Sequence, residues 1–268
     1  ADLLLNKATD TDPLTLEDPD KLDWSGFSNT GLDIEDELDA LGQTSLGDLT
    51  ADIDLRANGS VALSALGFVV GKSDFTLTFA TADVTTGNPA LGTLNGSSLV
   101  AGSLTNLNLF AGVGATLNNN GTPTNFSDDT LNTAGALGFS VSGGSVSFAI
   151  VRPAGLLPTD QTRYFGMEIA LVGAQLVGIP GVTFRATGSV LINQATNAAG
   201  IATSQRVDWF TATNSTNDPY GLIPPFSSRL TKDVELQIDG SAALNVFSAV
   251  VGTASFSITQ GTETIGTG

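Results

Sequence analysis

An internal repeat is the feature that most constrains what this chain can fold into. Residues 59–78 read GSVALSALGFVVGKSDFTLT, and residues 240–259 read GSAALNVFSAVVGTASFSIT. Nine of these 20 positions are identical when the two stretches are aligned without a gap. What both stretches keep is an apolar strand pattern, which indicates a duplicated β-structure.

Two further landmarks recur in the same order. They are LLLNKATD at 3–10 with VLINQATN at 190–197, and LDW at 22–24 with VDW at 207–209. The three pairs of landmarks have nearly equal offsets, so residues 1–80 are a second version of residues 188–268. The repeat period of about 180–190 residues is far longer than that of a solenoid coil, so each unit is a domain-sized block of strands.

The repeat divides the chain into three segments. Residues 1–54 are the acidic tail of one unit, residues 55–235 are one complete period, and residues 236–268 begin the next unit. The chain thus opens midway through a unit, and we expect either an excerpt of a longer array or a subunit whose tail completes the head of another. In both cases residues 1–10 should lie against the C-terminal region of a neighbouring unit.

Alternating apolar residues predict strands throughout the period. The alternation is plain at Val61, Leu63 and Ala65, and it continues through three longer stretches, 103–117, 134–151 and 166–192. Glycine pairs and proline mark expected turns at 143–144 and 179–181. We therefore predict an all-β fold, an elongated multi-stranded β-sandwich or β-solenoid-like module, in which residues 55–79 and 236–260 share one backbone.

Helix-forming material is scarce, and only one short helix is predicted, near residues 32–41. Leu32, Leu38 and Leu41 lie there at near-helical spacing, and a glycine follows them. The matching part of the second unit contains two prolines, so this helix is not a property of the repeat.

The composition excludes several classes of function. The chain has no cysteine and no histidine, which rules out disulfides, thiolate or imidazole metal ligands and every histidine-based catalytic mechanism. Acidic residues outnumber basic ones 27 to 10, for a net charge of −17. Such a charge repels phosphate backbones and anionic lipids, so we predict no nucleic-acid partner and no membrane insertion.

The tripeptide Gly71-Lys72-Ser73 has the ending of a phosphate-binding loop. The glycine that such a loop requires upstream is replaced by Leu66, and the matching tripeptide of the second unit is Gly252-Thr253-Ala254, without lysine. We therefore predict that Lys72 is a solvated strand or turn residue and that the chain binds no nucleotide cofactor.

An acidic run at residues 10–23 contains the candidate metal ligands. Carboxylates at five positions could supply oxygen ligands to calcium: Asp10, Asp12, Glu17, Asp18 and Asp20. The run does not fit the EF-hand register, and the matching stretch of the second unit lacks comparable acid. We therefore expect a solvated acidic loop, with a calcium site as the alternative interpretation, and calcium cannot be a requirement of the whole repeat.

No arrangement of carboxylates indicates catalysis, and we predict that the chain is not an enzyme. Asp23 and Asp208 hold the same place in the LDW and VDW landmarks, where an aspartate that accepts bonds from local amides beside a core tryptophan explains both. The other acidic pairs have no recognisable context: Asp128 with Asp129, Asp208 with Asp218, and Glu235 with Asp239.

Four stretches together carry a resemblance to a known group of proteins. They are NLFAGVGATL, GALGFSVSGGSVSFAIV, LVGIPGVTF followed by ATGSVLIN, and GSAALNVFSAVVGTASFSIT. This combination resembles the tandem units of very large bacterial repetitive surface proteins of the β-strand-repeat or LEPR-XLL type. The resemblance implies an extracellular or cell-surface, array-forming protein of Gram-negative origin, and it supplies no catalytic residues.

These observations predict a non-catalytic structural module of an extracellular filament or cell-surface fibre. Its partners would be copies of itself or adjacent repeat units, joined head to tail. An adhesin or ligand-binding module, stiffened by calcium, is the alternative, and a carboxylate-based hydrolase is the third.

Overall fold

The alternating segments form long antiparallel strands. The computed structural model describes residues 1–8, 20–26 and 48–261. Its strands are β1 (Asp2–Leu5), β2 (Ile53–Ala65), β3 (Val69–Thr85), β4 (Thr93–Val113), β5 (Thr116–Asn118), β6 (Thr130–Asn132), β7 (Leu137–Arg152), β8 (Arg163–Val177), β9 (Val182–Thr196), β10 (Val234–Val246) and β11 (Val250–Gly261). The predicted all-β class is confirmed, and the helix expected near 32–41 lies outside the described residues.

Two single helical turns are complete in the described part of the chain. Residues Trp24–Gly26 form a 3-10 turn, and Trp209–Ala212 form the short helix α1. Within residues 1–8, 20–26 and 48–261, no helix has the length and apolar character needed to cross a membrane.

Nine strands form one open antiparallel sheet in the order β1-β2-β3-β4-β7-β8-β9-β10-β11. Neighbours in the sheet are neighbours along the chain, except that the small hairpin of β5 and β6 is inserted between β4 and β7. Strands β1 and β11 are the two edges of the sheet.

The two predicted turns have different outcomes. The turn at 179–181 is confirmed, since it joins β8 to β9 and Gly181 has a φ of +78°. The prediction of a turn at Gly143-Gly144 is wrong, because both glycines lie inside β7. Gly143 has a φ of +69°, and the pairing with β4 slips between Leu107 and Leu109. The glycine pair therefore makes a β-bulge, in which one strand carries extra residues while pairing continues on both sides.

One face of the sheet, here called the closed face, carries the hydrophobic core. The buried side chains of this face come from most strands of the sheet: Leu4, Ile53, Ala80, Leu99, Ala149, Val151 and Leu191. The connection between β9 and β10 packs over them with Trp209, Phe226 and Leu230. Gly166 provides the space for Trp209, because a Cβ atom at residue 166 would lie 2.5 Å from the indole ring.

A second cluster covers the other end of the closed face. Val70 of β3 and Phe110 of β4 are both buried there against Ala115 and Ala136, which flank the β5–β6 hairpin. The hairpin itself contributes the half-buried Leu117 and Leu131. The inserted hairpin therefore functions as a local cover for β3 and β4.

The two copies of the repeated stretch form two hairpins of the same structure, as the sequence predicts. Strand β2 pairs with β3 from Ile53↔Ala80 to Ala65↔Val69, and β10 pairs with β11 from Val234↔Gly261 to Val246↔Val250. The register is the same in both, since Gly59↔Phe75 in the first hairpin matches Gly240↔Phe256 in the second. Both hairpins also have the same irregularity, after the first pair.

The turns of the two hairpins agree although their sequences do not. The first turn contains Leu66 and Gly67 with φ values of 54° and 65°, and the second contains Phe247 and Ser248 with φ values of 51° and 56°. Each is closed by a backbone hydrogen bond of 3.0 Å between equivalent residues. Because leucine, phenylalanine and serine seldom adopt a positive φ, the strand pairing must impose this turn on the chain.

Candidate functional site: the repeated motif and its open edge

The shared hairpin belongs to a larger repeated motif. The N-terminal motif consists of β1, β2 and β3 with residues 20–26 and 48–52, and the C-terminal motif consists of β9, β10 and β11 with residues 205–233. Strand β1 pairs with β2 as β9 pairs with β10, since Leu3↔Ala57 matches Val190↔Ile238. All three strands of the two motifs are therefore paired in the same register.

A buried asparagine joins the strands to the connecting loop in both motifs. The Asn193 Nδ2 group donates to the carbonyl oxygens of Val207 at 2.8 Å and Thr231 at 2.9 Å. The Asn6 Nδ2 group donates to the equivalent carbonyl oxygens, those of Leu22 at 2.7 Å and Thr50 at 3.1 Å. The same type of side chain thus satisfies the same two backbone groups in both motifs.

An ion pair recurs beside the asparagine. Lys21 Nζ lies 2.6 Å from Asp54 Oδ1, and Arg206 Nη2 lies 2.7 Å from Glu235 Oε2. Each cation directly precedes its landmark, LDW or VDW, and the two carboxylates hold equivalent places at the start of β2 and β10. Sequence reasoning missed the ion pairs because their residue types differ between the two motifs. The asparagines are identical and lie inside a landmark, so the shared position was the signal that could have revealed them.

The aspartates of the LDW and VDW landmarks have the local role predicted for them. Asp23 Oδ1 accepts a hydrogen bond from the Ser25 amide at 3.0 Å. Asp208 Oδ1 accepts one from the Thr211 amide at 2.9 Å and so caps α1. The neighbouring Trp209 is fully buried and donates from Nε1 to Asn193 Oδ1 at 3.0 Å, so it anchors the motif as expected.

The two motifs differ in what covers them. β3 is an interior strand that pairs with β4 along most of its length, while its counterpart β11 is the edge of the sheet. Val70 of β3 is 1% exposed, and its counterpart Val251 is 71% exposed. Every residue of β11 is exposed.

The opposite edge shows the same contrast. β9 is paired on one side with β10 and on the other with β8, whereas β1 is paired, among the described residues, with β2 alone. Leu3 and Leu5 of β1 are 68% and 62% exposed, and their counterparts Val190 and Ile192 are half-buried. Each edge strand therefore presents an open side where its counterpart has a neighbour.

Asp218 and Asp239, from two of the other acidic pairs, accept hydrogen bonds within the fold. Asp218 accepts hydrogen bonds from the Leu222 amide at 2.8 Å and the Ile223 amide at 2.9 Å. Asp239 accepts one from Arg229 at 2.7 Å, and hydrogen bonds, first that of Ser257, hold the pKa of its carboxyl below the ordinary value. These carboxylates fasten turns and strands in the described part of the chain.

Lys72 lies near the start of β3, so it is a strand residue, and it is half-buried. Its Nζ donates to the carbonyl oxygen of Ser127 at 3.1 Å, in the loop between β5 and β6. The residues around it are paired with β2 and β4, so they do not form the curled loop that cradles a phosphate.

The calcium candidates fall largely on residues that the structure does not describe. Asp10, Asp12, Glu17 and Asp18 lie outside the described residues. Asp20 is exposed and lines an open cavity of about 860 Å³ together with Lys21, Asp52 and Asp54. Within residues 1–8, 20–26 and 48–261, no three carboxylates come together as a metal site.

Asp52, which lines this cavity, has a carboxyl group with a shifted pKa. Burial raises the pKa of its carboxyl above the ordinary value, and Lys21 opposes that shift. Nearby Asp83, Asp23 and Asp218 add to the increase. Charging this carboxyl therefore costs more free energy in the folded state than in the unfolded chain.

No family model, curated protein or solved structure matches this chain. Its function has to be inferred from the repeated motif and from the surfaces that the motif leaves open.

Proposed function

We propose that this chain is a non-catalytic structural module whose sheet continues into the sheet of a neighbouring unit through its edge strands. One observation carries the proposal: each edge strand has a counterpart in the other motif that is paired on both sides. β11 corresponds to β3, which pairs with β4, and β1 corresponds to β9, which pairs with β8.

The exposed side chains of β11 support this proposal. In the N-terminal motif, Val70 is buried by Phe110 and by the β5–β6 cover. In the C-terminal motif, Val251 is exposed, and so are Phe256 at 56% and Ile258 at 55%. Full burial of a valine or phenylalanine side chain contributes about 1.5–3 kcal/mol, so a strand that covers β11 gains apolar contacts as well as hydrogen bonds.

The edge strands also have the backbone hydrogen-bonding groups needed for joining. An edge strand presents unpaired N–H and C=O groups, to which another strand can add. The β1 edge of one molecule and the β11 edge of the next are different surfaces, so their contact is heterologous and grows a filament unless a rotation closes a ring. A filament or fibre, built from copies of this module or from adjacent repeat units, is the assembly that these edges favour. Its location outside the cell is proposed from the resemblance to bacterial repetitive surface proteins.

The repeat supplies a matched pair of variants to test the edge. Val251→Lys places a charge where the equivalent Val70 is buried, so we expect it to block joining. Thr253→Lys adds the same charge where the equivalent residue is Lys72, which an interior strand already accommodates. Both variants are compared with the wild type at rising protein concentration by sedimentation velocity and negative-stain electron microscopy.

We expect the wild type and Thr253→Lys to form elongated species longer than a dimer and Val251→Lys not to form them. A wild type that never exceeds a dimer would contradict the proposal. So would elongated assemblies that Val251→Lys leaves unchanged.

A further inference from the structure

The face of the sheet opposite the closed face, here called the open face, is apolar from edge to edge. One row of paired residues crosses all nine strands on this face: Leu3, Ala57, Leu77, Gly102, Phe148, Met167, Ile192, Leu236 and Gln260. Cross-strand partners lie on the same side of a sheet, so these residues form a continuous line.

Two more rows run parallel to the first. One contains Gly59, Phe75, Leu104, Val146, Ile169, Val190, Ile238 and Ile258, and the other contains Leu63, Gly71, Leu109, Val141, Ala174, Ala186, Ala242 and Ala254. Every residue of the three rows except Gln260 is apolar or glycine. The acidic residues that give the chain its net charge of −17 lie outside these rows.

The large side chains of the open face are not buried. Phe148, Ile169 and Ile238, in the middle of the sheet, are half-buried, and Leu3 and Ile258, at its two edges, are exposed. On the closed face, Leu99, Val151 and Leu191 are at most 1% exposed. A monomeric protein rarely exposes a contiguous apolar patch larger than a few hundred Å², so the open face is expected to have a partner.

We propose that the open face is an interface on which a second molecule of this chain packs face to face, so that two sheets form a β-sandwich. Because the rows carry no charge, two identical open faces can pack against each other without bringing like charges of these rows together. Face-to-face packing of antiparallel sheets at a spacing of about 10 Å is the ordinary way in which such apolar faces are buried.

The size of the face is sufficient for a stable dimer. Nine strands at a spacing of about 4.8 Å give a width of roughly 40 Å. Strands such as β2, with 13 residues, give a length of roughly 40 Å at about 3.3 Å per residue. The face thus exceeds the roughly 800 Å² per partner of a standard stable interface.

The open face is not flat, and it contains a groove that side chains of a partner can fill. A groove of about 460 Å³ lies over β8–β11, with walls formed by Ile169, Phe184, Ile238 and Phe256. Its floor is low because Gly188 and Gly240 have no side chains. A twofold axis parallel to the strands would place β1 and β2 of one molecule, with the exposed Leu63, over β10 and β11 of the other.

Such an axis leaves β7, the fifth of the nine strands, over β7 of the partner molecule.

The first test uses the absence of cysteine from the chain. In Val146→Cys, the new thiol lies near the axis on β7, and oxidation should link two molecules through it. In the control Thr187→Cys, the thiol lies on β9 and points to the closed-face side, so we expect no linked dimer.

The second test measures the dimer itself by sedimentation equilibrium. It is performed with the Val251→Lys variant, in which we expect joining through β11 to be blocked. Any dimer that this variant forms then reports on the open face and not on the edge strand. Leu171 of β8 pairs with Gly188 and is 38% exposed on the open face. We expect twice the chain mass, an affinity of the dimer at least tenfold lower with Leu171→Lys, and no change with Thr187→Lys. Higher salt should strengthen the dimer, because it screens the repulsion between two molecules of charge −17.

A monomer at all concentrations would overturn the proposal, as would linked dimers through Thr187→Cys but not Val146→Cys. Binding of the chain to neutral phosphatidylcholine vesicles in place of a dimer would also overturn it, because a lipid surface would then be the partner. Circular dichroism of Leu171→Lys checks that its strands are kept, and the cysteine result decides the question if they are not.

Discussion

Strands β3 and β11 have similar sequences and the same hairpin partner register, but they occupy opposite environments. β3 is interior, with β4 beside it and the β5–β6 hairpin above Val70. β11 is an edge whose Val251 is 71% exposed. The comparison teaches that local sequence determines the hairpin, whereas burial is determined by what lies beside it.

The largest expected difference between the two motifs is at their tryptophans. Trp209 is fully buried, so Trp209→Ala should lower the free energy of unfolding by about 3–5 kcal/mol. Trp24 is half-buried, so Trp24→Ala should cost only about 1–2 kcal/mol. Urea unfolding followed by circular dichroism measures both, and equal losses would show that the two motifs are closed to the same degree.

The valines test the strand comparison directly. Val70→Ala removes two buried methyl groups and should cost about 2 kcal/mol. Val251→Ala, at the exposed counterpart, should change the free energy of unfolding by less than about 0.5 kcal/mol at protein concentrations where the chain is not assembled. A loss at Val251 as large as that at Val70 would mean that β11 is already covered in the isolated chain.

The repeated ion pairs should differ in the same direction as the tryptophans, with the larger loss in the C-terminal motif. Arg206 is 5% exposed at its side chain, so Glu235→Gln removes a partner from a buried guanidinium and should cost about 1–3 kcal/mol. Asp54 is 45% exposed, and Asp54→Asn should cost less than about 1 kcal/mol. Thermal unfolding of the two variants gives the order, and the reverse order would contradict the deeper burial of the ion pair in the C-terminal motif.

The smallest effect is a pH dependence at Asp52. Its folded pKa is raised by burial, so the charged carboxyl destabilises the folded state above that pKa, and the penalty disappears as the pH falls below the unfolded pKa. Asp52→Asn should therefore stabilise the chain slightly at pH 7 and not at about pH 3. Asp233→Asn, at the exposed counterpart beside Lys232, is the control and should show no such gain. Stabilisation by Asp52→Asn that is equal at both pH values would show that the charge is not its cause.

The sequence predicted the all-β class and the shared hairpin because alternation and self-similarity are local properties. It could not reveal that β1–β4 and β7–β11 lie in one continuous sheet, since that depends on which strands pair. The bulge at Gly143-Gly144 is predicted as a turn because both structures use glycine at positive φ, and only the pairing with β4 and β8 distinguishes them.

The candidate site could be predicted only in part, because the sequence reveals residues that recur in both motifs but not their burial. Asp208 and Trp209 were identified because they are identical to residues of the N-terminal motif. The ion pair of Arg206 with Glu235 was not, because its counterpart is lysine with aspartate. The exposure of Val251 could not be predicted, because the same residue type is buried in the equivalent strand.

Hydrogen exchange of the backbone amides tests most directly the claim that β11 is an uncovered counterpart of β3. At low protein concentration, amides of residues 250–261 should exchange much faster than those of residues 69–80, because an edge strand lacks the second set of hydrogen bonds. As the concentration rises into the range of assembly, we expect residues 250–261 to become protected while residues 69–80 stay unchanged. Fast exchange at residues 250–261 at every concentration would contradict the account, and so would equally fast exchange in both strands.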